Sequence, residues 1–181
     1  MNVAIIGSGS WATALAKIIM HNVPDINWHI RRQEVIDEFV EIRRNPNHLE
    51  WAYFDVSRIH FSADINAVIE ESDLIVLAIP SPYIKQSLNE ITVDMSQKFV
   101  ISAVKGMIPD ENLLVTEYMH QYFHIPKENL GVIAGPCHAE EIALERLSYL
   151  TVGCKDIVKA REWSKLFDTP YVRTTPSNDV E

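Results

Sequence analysis

A loop with spaced glycines near the N-terminus is the first feature of this sequence that could do chemistry. It follows the apolar stretch Val3–Ile6 and carries the pattern G-x-G-x-x-A at Gly7, Gly9 and Ala12. In a dinucleotide-binding turn, the first glycine permits a tight turn and the second lets a pyrophosphate approach the backbone. A small third residue lets the following helix pack against the sheet. Free N–H groups at the helix start, from Ser10 onward, would then donate to the phosphates. The alternative is a tight strand–helix turn that binds no ligand.

Two arginines occupy a second position that bears on cofactor choice. Many dinucleotide-binding folds place an acidic residue about 20 residues after the glycines, where it accepts hydrogen bonds from the ribose. Here that place holds Arg31 and Arg32. Guanidinium groups cannot accept from a hydroxyl, but they can pair with a 2′-phosphate. The sequence therefore predicts an NAD(P)H site that favours NADPH, unless these are two solvated arginines at the start of an exposed helix.

Alternating strand and helix patterns supply the scaffold for these loops. Strands are predicted at Val3–Ile6, Trp28–Ile30, Ile59–Ser62, Leu74–Ile79, Phe99–Ala103, Gly131–Ala134 and Leu150–Gly153, with a short one at Tyr171–Arg173. Helices are predicted at Trp11–His21, Glu34–Arg44, Ile65–Glu71, Tyr83–Leu88, Leu113–Tyr122, Ala139–Leu144 and Val158–Phe167. This alternation predicts one α/β domain over residues 1–181, a doubly wound, mostly parallel sheet with helices on both faces.

Composition excludes several classes of protein. The 181 residues include 25 acidic and 16 basic side chains, and 47% are hydrophobic, which is typical of a folded domain and not of a disordered chain. The net charge of −9 argues against a nucleic-acid partner. No apolar run of about 18 residues predicts a membrane span, and no signal peptide is visible, so we expect a cytoplasmic protein. Cys137 and Cys154 lack the neighbouring ligands of a metal site.

Further segments resemble one family, the bacterial NAD(P)-dependent glycerol-3-phosphate dehydrogenases, over the whole chain but only over the N-terminal half of those proteins. The opening loop is similar to the family's G-x-G-x-W-G-T-A-L-A, with Ala12 in place of the third glycine. Asn45-Pro46 resembles the start of N-P-x-Y-L-P, whose continuation is not kept in full. The other matches are Ala78-Ile79-Pro80-Ser81 to A-V-P-S, Ser102-Ala103-Val104-Lys105-Gly106 to S-A-T-K-G, and residues 135–141 to G-P-S-H-A-E-E, with Cys137 replacing the serine.

The resemblance implies a role for each matched residue. The implied cofactor contacts are Gly7, Gly9, Ser10, Trp11, Pro80, Lys105 and Ala139, to which the position after the second strand adds Arg31 and Arg32, and the implied substrate contacts are Lys105, Gly135 and Cys137. All these loops follow predicted strands, and ligands of open α/β sheets bind beyond the carboxyl ends of the strands. The Lys105 ammonium could bind a substrate oxygen and stabilise developing negative charge, although a strand-end lysine can also be a solvated cap. The Cys137 thiol would be a weaker hydrogen-bond partner than the serine hydroxyl, and His138 is interpreted as a helix-start residue.

By the same resemblance, the full enzyme would interconvert dihydroxyacetone phosphate and sn-glycerol 3-phosphate with NAD(P)H, in glycerophospholipid synthesis, and could be a homodimer. In that family the proton-transferring lysine lies in a helical C-terminal domain whose motifs do not occur in residues 1–181. We therefore expect this chain alone to bind nucleotide without catalysing the reaction. Two alternatives stay open at this point: a related dehydrogenase acting on a hydroxy acid, and a nucleotide-binding module without turnover.

Overall fold

The computed structural model describes residues 1–180, which form one eight-stranded sheet with helices on both faces. The strands are β1 Val3–Ile6, β2 Ile26–His29, β3 Ile59–Ser62, β4 Leu74–Leu77, β5 Phe99–Ser102, β6 Leu130–Ala134, β7 Ser148–Cys154 and β8 Val172–Ser177. The helices are α1 Ser10–Ile19, α2 Gln33–Ile42, α3 Ile65–Glu70, α4 Ser81–Leu88, α5 Val115–Phe123, α6 Ala139–Ala143 and α7 Ile157–Phe167. The predicted fold class is confirmed.

The strand order is β3-β2-β1-β4-β5-β6-β7-β8. Strands β1 to β6 pair in parallel, β6 and β7 are antiparallel, and β7 and β8 are again parallel to each other. The chain moves outward from β1 to β3 and then returns to place β4 on the other side of β1. The order of the strands therefore reverses between β1 and β4, and a crevice forms at such a switch point beyond the carboxyl ends of the strands.

Each central strand is buried on both faces, which is why its sequence is apolar without alternation. In β1, Val3 and Ile5 pack into one core layer, and Ala4 and Ile6 pack into the other. The first layer contains side chains of α1, α2, α6 and α7, while the second contains side chains of α3, α4 and α5. Two continuous cores thus hold the sheet rigid, so that the loops at its carboxyl edge keep fixed positions.

Several predicted boundaries differ from those observed, and for β2, β4 and β8 the structure shows the reason. The strand predicted at Trp28–Ile30 runs from Ile26 to His29, because the chain turns away toward α2 after His29. The strand predicted at Leu74–Ile79 ends at Leu77, because Pro80 is already the N-cap of α4. The short strand predicted at Tyr171–Arg173 extends to Ser177 and includes Pro176, which an edge strand tolerates.

Candidate functional site

A cavity of about 410 Å³ opens at the carboxyl edge of the sheet, beside the switch point between β1 and β4. Most of the predicted site residues line it, namely Gly9, Ser10, Trp11, Pro80, Lys105, Cys137 and Ala139. Gly7 and Gly135 support the loops from which these residues project, and Arg31 and Arg32 lie outside the cavity, after β2. Four loops that are far apart in the sequence therefore converge on one concave site.

Gly7 and Gly9 have different roles in the first loop. Gly7 has φ +125°, and a Cβ atom there would lie 2.4 Å from the Ala78 carbonyl oxygen. Only glycine allows this approach, which joins the end of β1 to the end of β4. Gly9 has an extended conformation, and a Cβ atom there would meet nothing within 4 Å. The space beside Gly9 is therefore open to a ligand, as a pyrophosphate-binding turn requires.

The first loop turns its carbonyl groups toward the protein. The carbonyl oxygens of residues 7, 8 and 9 accept hydrogen bonds, in that order, from Trp28 Nε1 at 2.7 Å, Asn45 Nδ2 at 2.9 Å and Thr13 Oγ1 at 2.9 Å. The N–H groups of residues 8–12 have no acceptor within residues 1–180. A row of unpaired donors at a helix N-terminus attracts an anion, so the loop fits the pyrophosphate of a dinucleotide.

Asn45 holds this loop in place, a role that the sequence interpretation missed. Its side chain is buried, and Nδ2 lies 2.9 Å from both the Ser8 carbonyl oxygen and Thr13 Oγ1. Its Oδ1 accepts from the N–H of Asn47 at 3.0 Å. Nearby, His48 Nδ1 lies 3.2 Å from Ser10 Oγ at the start of α1. The Asn45-Pro46 match was a usable signal, but the pattern did not indicate which loop the amide would reach.

Lys105 extends over the ring of Trp11, with its Nζ 5.4 Å from the ring centroid. The lysine is exposed and has no ion pair within the described part of the chain, while the Trp11 side chain is half-buried against the core. The next residue, Gly106, has φ +113° and places its Cα close to Ser81 at the start of α4. A cation–π contact therefore holds an ammonium beside the cavity, and Glu140, which also lines the cavity, forms no ion pair with it.

Gly135 and Cys137 both contact the backbone of Tyr149. Gly135 has φ +150°, and a Cβ atom there would lie 2.6 Å from the Tyr149 carbonyl oxygen. Cys137 is buried, and its Sγ donates to the same oxygen at 2.7 Å. The thiol hydrogen is therefore already used, and only the sulfur atom faces a ligand, as a weak acceptor. His138 is the N-cap residue of α6, as interpreted from the sequence.

Arg31 and Arg32 lie in solvent, each beside a carboxylate. Arg31 Nη2 lies 3.6 Å from Glu90 Oε1, and Arg32 Nη1 lies 3.6 Å from Glu34 Oε1. Their side chains are 60% and 62% exposed, so solvent screens both pairs. Just before them, burial lowers the pKa of His29, because desolvation disfavours the imidazolium form.

Two kinds of feature are missing from residues 1–180. None of the helices there combines the length and the apolar character needed to cross a bilayer. No group of three or more His, Cys, Asp and Glu side chains there is placed to hold a metal ion. Both cysteines are buried free thiols.

Comparison with known proteins agrees with this geometry. The family model for the NAD-dependent glycerol-3-phosphate dehydrogenase N-terminus matches residues 2–160. The chain is 30% identical over 180 residues to the glycerol-3-phosphate dehydrogenase (NAD(P)+) of Oceanobacillus iheyensis, and the match covers 98% of this chain and 52% of that protein. The chain thus spans about half the length of the curated relatives it matches.

Solved structures give the same result. The glycerol-3-phosphate dehydrogenase of Plasmodium falciparum has a TM-score of 0.88 and 26% sequence identity, covering 99% of this chain and 53% of that one. The glycerol-3-phosphate dehydrogenase of Coxiella burnetii has a TM-score of 0.80 and 21% identity, covering 98% of this chain and 54% of that one, and shows the fold alone.

Proposed function

Since the chain belongs to the family of NAD-dependent glycerol-3-phosphate dehydrogenase N-termini, we propose that it is the cofactor-binding part of an enzyme that interconverts dihydroxyacetone phosphate and sn-glycerol 3-phosphate. The observation that carries the proposal is the first loop, whose N–H groups from Ser8 to Ala12 are unpaired beside the open space at Gly9. Gly9, Ser10 and Trp11 of this loop line the cavity, and so does Lys105. An anion-binding loop and a cation therefore share one site.

In this proposal the first loop binds the pyrophosphate and the cavity holds the nicotinamide end. Ser10 and Trp11 contribute N–H groups at the start of α1, where the helix dipole also favours negative charge. Pro80 and Ala139 are among the other residues that line the cavity. The dinucleotide, when bound, supplies or accepts the hydride. The protein's own contribution is to fix its position and to exclude water from one side of it.

Lys105 is the residue proposed to act on the substrate. Its ammonium lies at the cavity without an ion-pair partner in residues 1–180, so it can donate to the oxygen on which negative charge develops. The backbone at Gly135 and the sulfur of Cys137 would bound the substrate on the other side of Lys105. Of these, Cys137 contributes least, because its thiol hydrogen is bonded to Tyr149.

We propose that turnover needs residues beyond those of this chain. Lys105 can stabilise negative charge on a substrate oxygen. The proton-transferring lysine implied by the family resemblance, however, has no counterpart in residues 1–181. General acid–base catalysis is worth about 10²–10⁴ in rate. With NADPH and dihydroxyacetone phosphate, we expect this chain to leave the nicotinamide absorbance unchanged. Sustained oxidation of NADPH, dependent on the substrate, would contradict this.

The preference for NADPH is tested through Arg31 and Arg32. The double variant Arg31→Ala/Arg32→Ala removes both guanidiniums next to the expected ribose position, so we expect it to weaken NADPH by about 1–3 kcal/mol, the range for hydrogen bonds to charged groups. NADH binding should change little, and both affinities are measured by nicotinamide fluorescence. Lys155→Ala, an exposed change at the opposite edge of the sheet, is the control. Equal weakening of both nucleotides would refute the role of the arginines.

Other statements made from the sequence stay predictions. They are the cytoplasmic location, a homodimer of the full-length enzyme, the link to glycerophospholipid synthesis and the lack of a nucleic-acid partner. A measurement of molar mass in solution addresses the second of these directly.

A further inference from the structure

A carboxylate reaches the end of β2 from a different part of the chain. Glu90 follows α4, and its Oε1 lies 3.6 Å from Nη2 of Arg31, which follows β2. The end of β2 is where a dinucleotide-binding fold has an acidic residue that accepts from the ribose hydroxyls. The sequence has Arg31 at that place, but the fold brings an acidic side chain there from the segment after α4.

The backbone around Glu90 is fixed by hydrogen bonds. The Glu90 carbonyl oxygen accepts from Asn66 Nδ2 at 3.0 Å, and its N–H donates to the Ser87 carbonyl oxygen at 3.2 Å. Asn66 Oδ1 in turn accepts from the N–H of Thr92 at 2.8 Å. These contacts tie the segment after α4 to α3, so that the Glu90 side chain starts from a defined position beside Arg31.

The carboxylate beside Arg32 has a simpler explanation. Glu34 lies only two residues after Arg32, in the first turn of α2, where a negative charge is stabilised by the helix dipole. Its side chain is 70% exposed, against 42% for Glu90. A local effect on the helix accounts for Glu34, whereas no local effect accounts for Glu90.

The groups around Arg31 leave little positive charge for a phosphate. Glu90 lies beside Arg31, and both Glu90 and Asp64 act electrostatically on the neighbouring His29; Asp64 is the N-cap of α3 and accepts from the N–H of Asn66 at 2.9 Å. Burial lowers the pKa of His29, which disfavours a compensating positive charge there. A 2′-phosphate arriving at Arg31 would therefore compete with Glu90 and be repelled by it. A ribose hydroxyl could instead donate to the Glu90 carboxylate.

We infer that Glu90 is a specificity-determining residue, which accepts from the ribose of NADH and limits the advantage that Arg31 gives to NADPH. The inference rests on the proposed function, because it needs the adenosine of a dinucleotide to lie at the end of β2. The proposed function assigns a contact to Arg31, and this inference adds that Glu90 opposes the effect of that contact. The site then accommodates both cofactors, with Arg31 favouring one and Glu90 the other.

The test is Glu90→Gln in the 181-residue chain, with NADH and NADPH titrated separately at low ionic strength and followed by nicotinamide fluorescence. The amide removes the charge and nearly keeps the shape of the side chain. We expect NADPH to bind about three times more tightly and NADH about three times more weakly, changes of the size expected for one exposed charged contact. Glu90→Asp, which shortens the side chain by one methylene group, should change the ratio in the same direction by less.

Glu70→Gln is the matched control, because it removes one negative charge from the end of α3 at the opposite edge of the sheet. It should leave the ratio of the two dissociation constants unchanged. An unchanged ratio in Glu90→Gln, with NADH binding intact, would overturn this inference and leave the proposed function standing. Failure of the unaltered chain to bind either nucleotide would overturn both. The same shift in Glu70→Gln would mean that net charge, and not Glu90, sets the ratio.

Discussion

The two sides of the cavity differ in how many hydrogen bonds and close contacts hold them in place. On the side of the first loop, three consecutive carbonyl groups are held by Trp28, Asn45 and Thr13, and Gly7 closes against Ala78. On the side of Lys105, the interaction that holds the lysine within residues 1–180 is a cation–π contact with Trp11, and the apolar side chain of Met107, two residues later, is exposed.

This difference bears on two functions, cofactor binding and substrate positioning. A loop whose supports are all within residues 1–180 is already in the shape that binds a dinucleotide, so binding costs little ordering. A lysine that rests on one aromatic ring still has rotamers to lose when it meets a substrate. We therefore expect cofactor binding to be a property of this chain, and substrate positioning to depend on contacts added to it.

The largest expected effect comes from the rigid side, at Gly7. In Gly7→Ala the new Cβ would lie 2.4 Å from the Ala78 carbonyl oxygen, at a φ of +125°. Strain and overpacking together should lower the free energy of unfolding by about 3 kcal/mol or more, which urea denaturation measures. In the control, Gly9→Ala, the methyl group enters open space in an extended backbone, so stability should change by less than about 1 kcal/mol while nucleotide affinity falls. Equal stability losses in the two variants would contradict the different roles given to these glycines.

The second effect tests the less constrained side, at Lys105. In the full-length enzyme, Lys105→Ala should lower kcat by about 10²–10³, the cost of removing one donor to a developing oxyanion. The melting temperature should hardly change, because the lysine is exposed and forms no ion pair within residues 1–180. Steady-state kinetics and a thermal melt together distinguish a catalytic role of Lys105 from a structural one. A large drop in melting temperature with normal kcat would make Lys105 structural.

The smallest effect is expected at Asn45, which supports the loop without touching a ligand. Asn45→Ala leaves the Ser8 carbonyl oxygen without its donor, so the free energy of unfolding should fall by about 1–3 kcal/mol. NADH and NADPH should weaken equally, since both use the same pyrophosphate loop. Asn47→Ala, an exposed change two residues later that keeps the backbone N–H bonded to Asn45, is the control. Selective loss of one nucleotide would show that Asn45 acts on the ribose end instead.

The sequence predicted the fold better than it predicted the directions and contacts within it. Every strand was recognised because apolar runs such as Leu74–Leu77 are bounded by polar or helical segments. The reversal of direction at β7 was not predicted, since the pattern of buried and exposed residues along a strand does not show in which direction the strand runs. The short strand predicted at Tyr171–Arg173 is longer in the structure, where Pro176 is tolerated because β8 lies at the edge of the sheet.

In the site, residues that follow strands were placed together correctly, because the carboxyl ends of parallel strands share one edge. Local sequence patterns could not predict contacts between distant segments. Asn45 reaches Ser8 across 37 residues of sequence, and Glu90 reaches Arg31 from a helix on the other side of β4. Likewise, no sequence pattern shows that the Cys137 thiol donates a hydrogen bond to the Tyr149 carbonyl oxygen.

The donors of the first loop belong to the main chain, which has a consequence for how this site can change over generations. No side-chain substitution within residues 8–12 deletes a backbone N–H, proline excepted, and no change of pH titrates one. A substitution in the loop therefore acts by filling the space beside these donors, as at Gly9, and not by removing them. Mutations at the distant supports, Trp28 and Asn45, will damage the loop as well, but they will resemble folding defects and not lesions of a binding site.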